Sequence, residues 1–169
     1  MRIARLSLPN RAVTYAPLEG DEATLFDRAP WLGGTLTGER VRWSIEMLRA
    51  PVEPSKILCV GRNYAAHARE MGSDPTREPP FFFQKPTDAI QYVPTGTVAD
   101  HPYPPLTKNY HYEAELVALL GRGGRNIPVD KALDLVWGYT LGLDMTRRDL
   151  QRFMGDQKKP WEIGKSFDR

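Results

Sequence analysis

The sequence predicts an α+β protein, mainly β, with a small β-rich N-terminal subdomain over residues 1–50 and a larger unit over 55–169. Three observations carry this. Fourteen glycines and fifteen prolines in 169 residues are more punctuation than a helical bundle tolerates. Short apolar runs of strand length recur between turn signals. Only a few segments repeat their apolar residues at helical spacing. A chain this long can bury about 70% of its unfolded surface, so a real core is feasible.

The elements follow in order. Ala4, Leu6 and Leu8 alternate with Arg5 and Ser7, the pattern of a half-buried strand. Pro9-Asn10 reads as a turn and Ala12–Tyr15 as the returning strand. Thr37–Leu48 reads as weakly helical, and Pro51 and Pro54 mark a linker. Lys56–Val60, closed by Gly61, is a buried strand; Asn63–Met71 is a short helix stopped by Gly72; Phe81–Lys85 is a strand ended by Pro86. Residues 94–109, with four prolines, read as loop. His111–Leu120 is the most convincing strand, with Tyr112, Ala114, Leu116, Ala118 and Leu120 as its core face. Val129, Ala132, Leu133, Val136 and Trp137 fit an amphipathic helix. Gly138–Asp144 is a strand. Thr146 and Asp149 resemble a capping box for a helix whose apolar face is Leu150, Phe153 and Met154.

Composition excludes several functions. A net charge of +2 with intermixed signs gives no electrostatic case for nucleic acid or an anionic membrane surface. One cysteine, Cys59, excludes an intrachain disulfide and a multi-cysteine zinc site. No apolar run has the length of a membrane span. The first residues lack the apolar stretch of a signal peptide, so a cytoplasmic protein is expected.

Glu113 and Glu115 are two apart. On a strand both carboxylates share a face, about 7 Å apart along the chain. That face continues into Val117 and Leu119. Two like charges at the edge of an interior need a cation or donors. A divalent cation would compensate them; a solvated strand end is the competing reading. Asp144 ends a strand just before a helix, a place exposed to a cleft, although helix capping also explains an aspartate there. His67 and Glu70 are i and i+3 on the short helix. The carboxylate can orient the imidazole for water activation, or the two form a surface ion pair. Arg148 and Gln151, also i and i+3, can bind a substrate carboxylate or simply face solvent. Lys165, flanked by apolar residues, can stabilise an oxyanion or sit at a strand edge. His111 is a weak supporting candidate, and His101 has no assigned role.

Taken in order, these pieces resemble the fumarylacetoacetate hydrolase family. The matching segments are Gly61–Glu70, Phe83–Pro86, Tyr112–Leu116, Gly138–Thr140, Asp144–Gln151 and Gly164–Asp168. The text around Gly61–Met71, Pro79–Phe83 and Asp144–Gln151 is most similar to the fumarylpyruvate hydrolase and acylpyruvase branch. The resemblance implies a mixed β-roll, incomplete at the C-terminus here, and a homodimer. It implies that Glu113, Glu115 and Asp144 hold Mg2+ or Mn2+, and an all-oxygen site also accepts Ca2+. It implies that His67 and Glu70 are a water-activating dyad on a lid over residues 62–75, and that Arg148, Gln151 and Lys165 face a small 2,4-dioxo acid. The implied reaction is hydrolysis of an acylpyruvate to release pyruvate, in the catabolism of aromatic compounds. Isomerisation or decarboxylation of 2-oxo or 2-hydroxymuconate-type diacids fits the same scaffold. Two departures shape the expectation. Gly61-Arg62-Asn63 offers no fourth metal carboxylate, so three protein ligands are expected. The chain stops at Arg169 where family members continue with further strands, so a non-catalytic fragment that needs those strands is the reading from a different class.

Overall fold

A computed structural model describes residues 1–70, 72, 74 and 79–168, excluding the side chains of His67 and Glu70. It is mostly β with few helices, as the composition predicts. The chain divides into two units. One comprises Met1–Glu53, Tyr92–Ala99 and Ala114–Gly142; the other comprises Pro54–Gln91, Asp100–Glu113 and Leu143–Arg169.

The first unit is built on a five-stranded sheet. β1 (Ile3–Leu6), β2 (Thr14–Glu19), β3 (Glu22–Phe26), β4 (Leu36–Arg42) and β5 (Leu48–Arg49) lie in the order β4-β3-β2-β1-β5. The alternation of the first eight residues does what period 2 demands, since Leu6 and Leu8 are buried together with Ala16, Ala23 and Leu25. Leu18, Val41, Trp43, Met47 and Leu48 pack around that cluster.

Thr37–Leu48 is not helical. Leu36–Arg42 is strand β4, followed by a 3-10 turn at Ile45–Met47. Its registered partners are in β3: Ala23 faces Val41, and Thr24 faces Arg40. Arg40 pairs with Glu22 at 2.5 Å. Arg40 thus finds its acidic partner on the neighbouring strand, and the segment is an edge strand rather than a helix surface.

β9 (Ala114–Leu120) and β10 (Val136–Leu143) pair with each other. The expected core face of β9 is the open one: Leu116 and Leu120 are 61% and 65% exposed, whereas Glu115, Val117 and Leu119 are half-buried. The inner side of the pair is crowded instead. A Cβ on Gly142 would meet Val117 at 2.9 Å. The amphipathic helix expected at Val129–Trp137 is a 3-10 run over Val129–Leu135 leading into β10. Its apolar residues Val129 and Leu133 are exposed, so no buried face rewards a full α-helical turn. Trp137 packs edge-on against Trp31 instead, at 4.7 Å between ring centroids.

The second unit carries Glu113, Asp144, Arg148, Gln151 and Lys165. β6 (Ile57–Gly61) pairs antiparallel with β7 (Phe81–Lys85), with Cys59 opposite Phe83 and both buried. α1 (Ala65–Glu70) follows β6. The predicted strand His111–Leu120 is broken at Tyr112–Glu113. Its first part, β8 (Tyr110–His111), pairs with β11 (Thr146–Arg147). α2 (Arg148–Asp156) then leads to α3 (Glu162–Lys165). The capping box does not form. Thr146 is in β11 and donates its hydroxyl to the Asp144 carbonyl at 3.0 Å. Asp149 accepts from Thr107 Oγ1 at 2.5 Å and from the Lys108 amide at 2.8 Å. These bonds hold its carboxyl below the usual aspartate range. The buried residues of α2 are Arg148 and Gln151, not the predicted apolar face, from which Phe153 is exposed.

Candidate metal centre

Glu113 stands at the break between β8 and β9, and Asp144 at the end of β10. The two chain segments are locked there, because the Asp144 amide donates to the Glu113 carbonyl at 2.8 Å. Glu115 follows two residues along the chain from Glu113. Glu113, Glu115 and Asp144 each offer a carboxylate oxygen, and the three lie within 4.8 Å of one another. Asp144 is buried and the two glutamates are half-buried.

Cations surround this acid. Lys165, at the end of α3, is only 2% exposed. Its ammonium donates to Glu113 Oε2 at 2.6 Å, Asp144 Oδ2 at 2.7 Å and Thr146 Oγ1 at 2.7 Å. Three donors meet three acceptors, which satisfies the buried charge. Arg148 donates through Nη2 to Glu113 Oε1 and through Nη1 to Gln151 Oε1 at 2.5 Å. Burial pushes the Glu113 carboxyl up, but the Lys165 and Arg148 contacts together outweigh it and lower it to about 2.

The structure therefore brings together six of the eight residues singled out in the sequence: Glu113, Glu115, Asp144, Arg148, Gln151 and Lys165. The alternative readings of Arg148 and Gln151 as a solvated helix face, and of Lys165 as a strand-edge residue, do not hold, since all three are buried. His67 and Glu70 lie on α1, but their side chains are outside the described residues, as is part of the lid expected over 62–75. His111 is exposed and bonds Asn109 at 2.7 Å. His101 bridges Gln91 and Tyr110, at 2.6 Å to each.

One residue at the site was not singled out. Lys85 ends β7 and reaches the carbonyls of Met145 at 2.9 Å and Lys165 at 2.6 Å. Its Nζ is also 2.9 Å from Asp144 Oδ1. That approach is an ion pair off the hydrogen-bonding direction, for Oδ1 is buried and receives no hydrogen bond among the described residues. Only its place in the Phe83–Pro86 segment marked Lys85 in the sequence.

The donors fit a divalent cation. All are carboxylate oxygens, the choice of Mg2+, Mn2+ and Ca2+. Asp144 Oδ1 is a buried acceptor without a proton to accept. Three carboxylates with Lys85, Arg148 and Lys165 sum to no formal charge. A divalent ion makes the centre net positive, suited to an anionic ligand.

Residues 56–169 match the family described as fumarylacetoacetate (FAA) hydrolase C-terminal, and residues 1–51 match one described as Rv2993c-like, N-terminal. A solved fumarylpyruvate hydrolase from Pseudomonas aeruginosa, in complex with Mn2+ and pyruvate, is 61% identical, with a TM-score of 0.67, over 70% of this chain and 50% of that one. A 5-carboxymethyl-2-hydroxymuconate delta-isomerase from Mycobacterium smegmatis is 31% identical, with a TM-score of 0.76, over 99% of this chain and 62% of that one. A mitochondrial oxaloacetate decarboxylase from Dictyostelium discoideum is 43% identical over 67% of this chain and 50% of that protein. The chain spans about half the length of the curated relatives it matches first. Among the described residues, no helix is long and apolar enough to cross a membrane.

Proposed function

The chain belongs to the fumarylacetoacetate hydrolase family, and from that membership we propose that it is a metal-dependent hydrolase that cleaves a C–C bond in a 2,4-dioxo acid. The substrate is an acylpyruvate such as fumarylpyruvate, the product is pyruvate, and the setting is the catabolism of aromatic compounds. The observation that carries the reading is the buried ammonium of Lys165 beside the acidic triad. Such a centre can hold an anion and accept further negative charge as a bond breaks. The 61% identity to a fumarylpyruvate hydrolase favours hydrolysis among the family's reactions.

Glu113, Glu115 and Asp144 would hold the cation, which when bound supplies positive charge to the ligand's carboxylate and 2-oxo oxygens. Arg148, braced by Glu113 and Gln151, orients the carboxylate end of the substrate. His67 and Glu70 take a proton from the water that attacks the 4-carbonyl. The C3–C4 bond then breaks. The acyl group leaves as a carboxylic acid, and the electron pair passes to a pyruvate enolate that Lys165 stabilises before C3 is protonated. The working form in this reading is a homodimer in the cytoplasm, with Mg2+ or Mn2+.

The test is pyruvate release from a panel of acylpyruvates with Mg2+ or Mn2+, then with chelator. Metal-dependent release is expected, and His67→Ala lowers kcat at least a hundredfold while Mn2+ affinity stays within threefold. Release that survives chelation overturns the metal assignment, and an unchanged kcat removes His67 from the mechanism. The likeness to an isomerase and a decarboxylase supports a second reading on the same centre. In that case a rearranged or decarboxylated diacid appears in place of the acid fragment and pyruvate.

A further inference from the structure

We propose that Lys85 is a positioning residue that fixes the Lys165 ammonium and the Asp144 carboxylate relative to each other. The inference rests on the reading of the site given above. Lys85 sits on β7, whose five residues are all in register with β6. Its side chain is 15% exposed. The ammonium donates to the carbonyls of Met145 and Lys165 and stands beside Asp144 Oδ1, all within 2.9 Å. One point charge thus binds the residue after Asp144 and the backbone of Lys165 itself.

The neighbouring residues show what the contact does. Ser166 donates its hydroxyl to the Gln84 carbonyl, so the end of α3 is held on β7 at two successive positions. The position of the Lys165 backbone sets where its four-carbon stem begins, and so where its ammonium can reach. That ammonium uses its three protons on Glu113, Asp144 and Thr146. Asp144 is held from both sides, by Lys85 at Oδ1 and by Lys165 at Oδ2. A lysine suits this place better than an arginine. Its compact head serves converging acceptors, while a planar guanidinium is built for two parallel ones. The role is separate from contact with substrate, because both protons of Lys85 that make hydrogen bonds go to main-chain carbonyls.

The test compares the full chain with Lys85→Met and Lys85→Arg, each loaded with Mn2+ and titrated calorimetrically with oxalate and with pyruvate. Oxalate is a planar dianion that resembles the pyruvate enolate, while pyruvate lacks the second negative charge. Lys85→Met is expected to weaken oxalate at least tenfold and pyruvate less than threefold, and Lys85→Arg to recover less than a third of the loss. With an acylpyruvate that turns over, kcat falls at least tenfold while KM stays within threefold. Oxalate affinity equal to wild type in Lys85→Met, an equal loss for both ligands, or full rescue by arginine overturns the proposal. If Lys85→Met does not fold by circular dichroism, Lys85→Arg decides: folded with weakened oxalate supports the role, and folded with wild-type affinity refutes it. A wild-type chain that binds oxalate but releases no pyruvate overturns the hydrolase reading while leaving this measurement intact.

Discussion

Glu113 is the residue on which the charge balance turns. Its side chain is 18% exposed, and both its oxygens face cations. Its carboxyl titrates at about 2, below the ordinary 4.5, because the Lys165 and Arg148 contacts outweigh its burial. A depressed folded-state value means that the carboxylate stabilises the fold above pH 4.5 and that this contribution is lost as pH falls toward 2. Metal-free wild type is therefore expected to lose stability over that window, and Glu113→Gln to lose much less there. At pH 7 the Gln variant is less stable by about 1–3 kcal/mol, the cost of leaving charged donors short of an acceptor. Chemical denaturation at pH 7, 4 and 3 checks this, and equal pH slopes for the two proteins contradict it. The same variant and Asp144→Asn are each expected to weaken Mn2+ binding at least tenfold, since either removes a charged oxygen from the acidic triad proposed to hold the ion. Undiminished Mn2+ affinity by titration calorimetry would falsify the triad as the metal centre.

At the scale of elements, the site depends on how closely α3 approaches α2. Gly164 lies directly before Lys165, and a Cβ there would meet the Gln151 amide nitrogen at 2.7 Å and its Cα at 2.8 Å. Backbone cannot swing aside as a side-chain tip can, so the helices would have to part. Gly164→Ala is expected to cost about 1–3 kcal/mol, the usual range for overpacking, and to weaken oxalate binding by moving Lys165. Urea melts and ligand titration read both effects, and a variant as stable as wild type refutes the close approach. The pair Arg148 and Gln151 was legible in the sequence because i and i+3 spacing is local. Strands 57–61 and 81–85 were legible because each is a short run bounded by Gly or Pro, but the burial expected of the first holds on one face only, since Leu58 is exposed. The helices read at 37–48 and 129–137 failed because their spacing was not matched by burial; one became a paired edge strand and the other an exposed 3-10 run. The open side of β9 was misread because apolar residues alone do not say which face is covered. Lys85 escaped because its partners lie 60 and 80 residues away and are main-chain oxygens, which no side-chain pattern records.

For the whole molecule, the chain's small net charge and its uncovered apolar positions act together. In the β9–β10 pair, Leu116, Leu120, Tyr139 and Leu141 are 59–83% exposed. Large apolar side chains exposed on a sheet favour association, because covering them removes apolar surface from water. A net charge of +2 offers little repulsion to oppose that. The chain is therefore expected to associate with rising concentration, measured as mass by light scattering across a dilution series. Leu141, at 83% exposure, loses little packing when replaced. Leu141→Lys should reduce association and shift stability by no more than about 0.5 kcal/mol, as surface substitutions do. A monomeric wild type, or a variant that associates as wild type does, contradicts the argument. Loss of metal-dependent turnover in a Leu141→Lys variant that keeps its Mn2+ affinity would tie association to catalysis, since Leu141 supplies no carboxylate to the centre.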